Sequence, residues 1–127
     1  MTRNPNRMAE AVERLAARFA SHASVKINYL RGPVVVNGLD ATVGRTPFEV
    51  IDGGVLTVFE CRDYIVSAAA MVNPDTGEAV LPASGALITE VATGRRYSVA
   101  APEGENVYES IGPAGTVLKI HTKAYDG

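Results

Sequence analysis

Residues 46–66 read T-P-F-E-V-I-D-G-G-V-L-T-V-F-E-C-R-D-Y-I-V. Two runs rich in β-branched and aromatic side chains flank Asp52-Gly53-Gly54. Glycine reaches positive φ without a Cβ clash, so D-G-G between such runs specifies a tight β-hairpin. In the second run Leu56, Val58 and Glu60 alternate with Val55, Thr57, Phe59 and Cys61. Both faces are largely apolar, which predicts a strand at the centre of a sandwich or barrel rather than at a wet edge.

Before this hairpin, Val25, Ile27 and Tyr29 alternate with Lys26 and Asn28, a half-buried strand that Arg31-Gly32-Pro33 ends. Val34–Val36 resumes a strand, Asn37-Gly38 marks a turn or bulge, and Leu39–Val43 continues. Further upstream, Asn4-Pro5 is suited to open a helix, and Met8, Val12, Leu15 and Phe19 form a helical apolar stripe. After the hairpin, Ser67–Met71 suits one helical turn that closes a barrel end. Asn73–Gly77 and Pro82–Gly85 are turn clusters, with Glu78–Leu81 an extended connection. Leu87–Ala92 and Arg95–Ala100 form a second hairpin about Thr93-Gly94, and 102–105 is an acidic loop. Val107–Ile111 and Val117–Thr122 are the last strands. The prediction is a mainly β chain: a small β-barrel or sandwich of about seven strands behind an N-terminal amphipathic α-helix. The chain has 127 residues and is expected to form one domain, with the helix in 1–23, the barrel in 24–124 and a frayed tail in 125–127.

Charge is unevenly spread. Residues 1–31 hold Arg3, Arg7, Arg14, Arg18, Lys26 and Arg31 against Glu10 and Glu13. The whole chain has a formal charge of −2, which argues against general nucleic-acid binding. The basic start reads as a solvated helix face, with contact to an acidic partner or phosphate backbone as the alternative. The single cysteine, Cys61, precludes an internal disulfide and reads as a small buried hydrophobe. No apolar run is long enough to span a membrane, and the N-terminus lacks the apolar core of a secretion signal.

A search for chemistry yields little. His22 and His121 lack metal-ligand spacing, and His121 alternates with Leu118 and Ile120, which points it outward. Glu49 and Glu60 could oppose each other across the hairpin, where like charges repel. Ser84 and Ser110 have no nucleophile-elbow context, and the glycines sit at turns rather than in a phosphate cradle. Arg62 and Asp63 are adjacent on a strand and face opposite ways, so each is expected to anchor a loop or a subunit contact. No catalytic, cofactor or metal residue is nominated, and the chain is expected not to be an enzyme.

Several stretches, in order, carry a resemblance: T-V-G-R-T-P-F-E-V (42–50), C-R-D-Y-I-V (61–66), L-P-A-S-G-A-L-I-T-E (81–90), Y-S-V-A-A-P-E-G-E (97–105) and T-V-L-K-I-H-T-K (116–123). They resemble the tailed-bacteriophage head–tail joining, or head-closure ("stopper"), neck proteins. There the second is usually S-R-D-F-L-I, the third contains G-D-x-I, and the last is close to L-R-I-H-T-K. Val25–Arg31 is also similar to the family's I-x-Y-x-R-G segment. Gly85-Ala86 replaces the usual Gly-Asp, and Y-E-S-I-G-P (108–113) replaces a D-P-Y-like turn. The resemblance implies a virion structural protein made in the bacterial host cytoplasm and placed at the head–tail junction. It implies a homo-oligomeric ring, commonly six-fold, between the portal or its adaptor and the tail terminator or tail tube. Packaged double-stranded DNA would pass through or be retained without sequence specificity, with no cofactor and no membrane. Loops 67–84 and 101–115 are the expected contact regions. With the strand pair they make Arg62, Asp63, Asp75, Glu78, Glu103, Glu105 and Tyr108 the candidate subunit or partner contacts. The alternatives are a tail terminator or completion ring, or a small ligand- or oligonucleotide-binding barrel using Tyr29, Tyr64, Tyr97 and Tyr108.

Overall fold

A computed structural model describes residues 24–125. The expected helix within 1–23 and the last two residues lie outside them. Tyr125, assigned to the tail, donates its N–H to the Arg96 carbonyl at 3.2 Å, and the Arg96 guanidinium lies 5.2 Å from its ring centroid.

The seven strands are β1 (Ser24–Arg31), β2 (Val34–Asp52), β3 (Val55–Ser67), β4 (Leu87–Glu90), β5 (Arg96–Val99), β6 (Tyr108–Ile111) and β7 (Val117–Ala124). All pairings are antiparallel within a single sheet of order β3-β2-β1-β4-β5-β7-β6, and β3 also pairs with β7. The ladders therefore run from β1 through β2, β3, β7, β5 and β4 back to β1. One sheet forms, rather than the two stacked sheets of a sandwich.

The D-G-G hairpin forms as its sequence dictates. Asp52 pairs with Val55, leaving Gly53 and Gly54 as a two-residue turn at φ +59° and +81°. Two successive positive φ values match the right-handed twist of the strands they join. β2 is one long strand because Asn37-Gly38 is a bulge, not a break. Ile27 pairs with Leu39 and Tyr29 with Val36, so Asn28 faces two residues. Gly38 takes φ +69° there, and its N–H donates to Asn28 Oδ1 at 2.9 Å. The bulge bends β2 and keeps Val36, Leu39 and Ala41 on the core side.

The core joins Ile27 and Tyr29 of β1, Tyr64 and Val66 of β3, Ile88 of β4, Val99 of β5, and Leu118 and Ile120 of β7. Burying each large aliphatic side chain stabilises the fold by about 1.5–3 kcal/mol relative to exposure. The expected single helical turn is the 3-10 turn Ala68–Ala70; Ala68 N–H bonds to the Thr116 carbonyl at 2.9 Å, and Met71 beyond it is fully buried. Residues 78–81 are an extended connection tied by a Val72–Ala79 bridge.

The hairpin departs from expectation in one respect. β1 stops pairing at Ser24–Thr42, and β7 stops pairing with β3 at Arg62–Thr122. Among the described residues, the strands of the hairpin pair only with each other beyond those positions. Residues 43–61 thus form a two-stranded arm that leaves the body. Ile51 (76% exposed), Val55 (64%), Leu56 (58%), Val58 (57%) and Phe59 (50%) are open to solvent. The run with two apolar faces is not the central strand of the core in its outer half. Only its inner half, from Arg62 onward, is built into the body.

Candidate functional site

The root of the arm carries two polar clusters, one on each face of β3. Alternation along the strand creates them: Asp63 faces one side, Arg62 and Tyr64 the other. Arg62 and Asp63 accordingly bind separate partners.

On the first face, Asp63 is wholly buried beneath the arm. Its Oδ1 lies 2.7 Å from His121 Nδ1, its Oδ2 accepts the Thr46 hydroxyl, and Lys119 Nζ is 3.8 Å away. The ladder makes this contact, since Asp63 and His121 are direct cross-strand partners and Gly44 faces Asp63 from β2. His121 was expected to point outward. It does sit on the side opposite Ile120, yet it is only 1% exposed. The Phe48 ring meets its imidazole edge-on at 5.1 Å and 86°, and Glu109 Oε2 lies 3.9 Å from Nε2. That face of the sheet is covered at the arm's root, which periodicity along β7 could not reveal. The order Thr46–Asp63–His121 sets the carboxylate between hydroxyl and imidazole. Asp63 and His121 are buried and Thr46 is half-buried, and the contacts among them clamp β2, β3 and β7 together.

On the second face, Arg62 donates from Nε to the Tyr64 hydroxyl at 2.9 Å and from Nη2 to Glu90 Oε1 at 2.6 Å. Tyr64 donates its own O–H to the same Glu90 oxygen at 2.7 Å, and Thr93 donates to Oε2 at 3.3 Å. The guanidinium also lies over the rings of Tyr64 and Tyr97, at 5.5 and 5.1 Å from their centroids. Burial alone would raise the Glu90 carboxyl pKa; hydrogen bonds from Tyr64 and Arg62, with the charge of Arg62, outweigh it and hold the group below the ordinary carboxylate range. Burial pushes the Tyr64 phenol well above its usual value. Arg62 therefore ties β3 to Glu90 at the end of β4, and Thr93 of the following turn joins the same carboxylate.

The other candidate contacts are dispersed. Asp75 and Glu78 lie exposed on the 73–78 turn, where Asn73 Oδ1 accepts the Asp75 N–H at 2.9 Å and Thr76 Oγ1 accepts that of Glu78 at 3.2 Å. Glu103 and Glu105 are exposed on the loop after β5, and Tyr108 is half-buried at the start of β6, paired with Ile120. Glu49 and Glu60 do not oppose each other: Glu49 faces Val58, Glu60 faces Pro47, and Arg45 binds Glu60 at 3.1 Å. Cys61 is buried, as expected, and both burial and the Asp63 charge push its thiol pKa up. Tyr29 and Tyr64 are fully buried, so they offer no stacking platform for bases. Among the described residues no three His, Cys, Asp or Glu converge as metal ligands, and no helix is long and apolar enough to cross a membrane.

Sequence reasoning missed His121, Thr46 and Glu90 as partners of Asp63 and Arg62, and it missed the exposure of the arm. Beside the arm, a cleft of about 350 Å³ is lined by apolar side chains such as Val50, Phe59, Ala100 and Pro102 together with the charged Glu60, Glu103 and Lys123.

No curated protein matches the chain. A family model described as phage head-tail joining protein matches residues 6–126, nearly the whole sequence and every strand of the sheet. The ordered motifs and this match agree: the chain belongs to the phage head–tail joining protein family.

Proposed function

We propose that this protein is a non-catalytic connector of the phage neck, acting as a stopper between head and tail. Copies of a small closed barrel assemble into a ring, six-fold as the resemblance implies. The ring seats on the portal or its adaptor, retains packaged DNA and offers a docking surface to the tail terminator or tail tube. The observation that carries this reading is the family match across residues 6–126. Two structural features support it. The buried ionisable groups are spent on one another, as in the Asp63–His121 and Arg62–Glu90 pairs, rather than presented to a substrate. The apolar side chains that a self-sufficient monomer would bury stand open on the arm instead.

Electron microscopy of neck complexes carrying a tagged copy of the chain tests the reading. Ring-shaped density at the head–tail junction that bears the tag is the expected result. A chain that remains monomeric, and is absent from heads that have received tails, refutes it.

A further inference from the structure

We propose that residues 1–23 cover one face of the arm of their own chain, the face that carries Ile51, Leu56 and Val58. The two faces differ in what the body already gives them. Phe48, Val50, Phe59 and Cys61 share the side turned to the body: Phe48 meets His121, Cys61 is buried, and Val50 and Phe59 line the cleft with Ala100 and Pro102. Val55 and Phe59 stay partly open at the outer end of that side. On the opposite side Ile51 pairs with Leu56, Glu49 with Val58 and Pro47 with Glu60. This side continues the inner face of the sheet, because Val43 and Tyr64 are cross-strand partners in the same alternation. Tyr64 belongs to the core, and the half-buried Val43 and Val25 pack against it. Hydrocarbon thus reaches the rim of the body at Val25 and Val43 and resumes along the arm at Ile51, Leu56 and Val58. A two-stranded ribbon is marginal alone in water, and a helix packed on it is one remedy.

Three observations identify the occupant. The first is where the chain before the described residues ends. Ser24 pairs with Thr42, next to the first residue of the arm, and β1 runs antiparallel to β2. The chain preceding Ser24 therefore enters the body from the arm's side. The second is length. Residues 5–21 in the helical spacing of their sequence span about 25 Å, and residues 43–52 as a strand span about 33 Å. The segment can lie along the arm without passing its turn. The third is chemistry. Met8, Val12, Leu15 and Phe19 form one apolar stripe, and Arg7, Arg14 and Arg18 recur along one flank of it. Residues 1–23 hold four arginines against Glu10 and Glu13, whereas residues 43–61 hold Arg45 against Glu49, Asp52 and Glu60. Arg45 is taken by Glu60 at 3.1 Å, which leaves Glu49, beside Val58, without an ion pair among the described residues. An apolar stripe with a basic flank complements an apolar face with an unpaired carboxylate.

The test places a nitroxide label on Ala17→Cys, opposite the stripe, in a Cys61→Ser background of the full chain, and reads backbone amides by nuclear magnetic resonance. The expected result is broadening at residues 49–51 and 56–58 when label and isotope share a chain. Broadening should be far weaker when they are on different chains, mixed in denaturant and refolded together. Leu15→Asp should abolish the broadening and speed exchange of the Ile51, Leu56 and Val58 amides about tenfold or more, with Tyr64 and Ile120 unchanged. Broadening as strong between chains as within one assigns the face to a second copy and overturns the proposal. Absence of broadening at the arm overturns it too, as does arm exchange that Leu15→Asp leaves unchanged.

Discussion

Strands β2 and β3 build two regions of opposite character. In their inner halves they bury charge: Asp63 is wholly enclosed, and Glu90 is held by Arg62 and Tyr64. In their outer halves they expose hydrocarbon, from Val55 to Phe59 and at Ile51. A soluble domain normally does the reverse in both places. The body tolerates buried charge because every buried side-chain polar atom among the described residues has a hydrogen-bond partner. The arm has no such internal remedy, since exposed apolar area is satisfied only by something that covers it. The difference teaches that the described body satisfies its buried polar groups internally, whereas the arm leaves its apolar side chains uncovered.

Substitutions should separate the two regions by the kind of damage they cause. The largest effect on folding is expected at Asp63. Asp63→Ala leaves the buried His121 and the half-buried Thr46 without their partner, costing about 3 kcal/mol in chemical denaturation. A cost below a few tenths would show that the clamp does not hold the sheet. Next is Glu90→Gln, expected to cost about 2 kcal/mol at neutral pH because Arg62 loses its counter-charge. Glu90 is held below the usual carboxylate pKa in the folded state. Its contribution is therefore present above the unfolded pKa and lost as pH falls through the folded value. Unfolding curves across the acid range should accordingly be flatter for Glu90→Gln than for the parent, and parallel curves would remove Glu90 from the account.

A smaller effect is expected at the arm's turn. Gly54→Val forces a β-branched residue to φ +81°, a strain of about 1–2 kcal/mol that falls on the arm. Hydrogen exchange should loosen at residues 50–58 and stay unchanged at Tyr64 and Ile120. The smallest folding effect is expected at Leu56→Asp, about 1 kcal/mol for the isolated chain, because Leu56 lies outside the core. No loss there would show that nothing in the chain covers it.

Much of the fold was legible in the sequence, because local chemistry dictates it. Gly53-Gly54 determines the turn and the register behind it, and alternation at Val25–Tyr29 and Leu118–Ile120 marks core strands. The polar clusters were only half legible. Arg62 and Asp63 stood out as a charged couple in an apolar run, and alternation correctly sent them to opposite faces. Their partners were hidden because His121 and Glu90 meet them only through long-range pairing. The outward reading of His121 failed for the same reason: one strand's period reports a face, not what lies over it. The arm was misread because a run apolar on both faces looks alike in sequence whether it is buried in a core or left exposed.

The account's central claim is that the arm lies outside the body and is covered by residues 1–23, and hydrogen exchange of the parent beside Leu15→Asp tests it most directly. In Leu15→Asp, amides of residues 43–61 should exchange much faster than those of Tyr64, Val66 and Ile120. In the parent the arm should slow toward the rate of the body. Arm amides that exchange equally fast in both chains would contradict the claim.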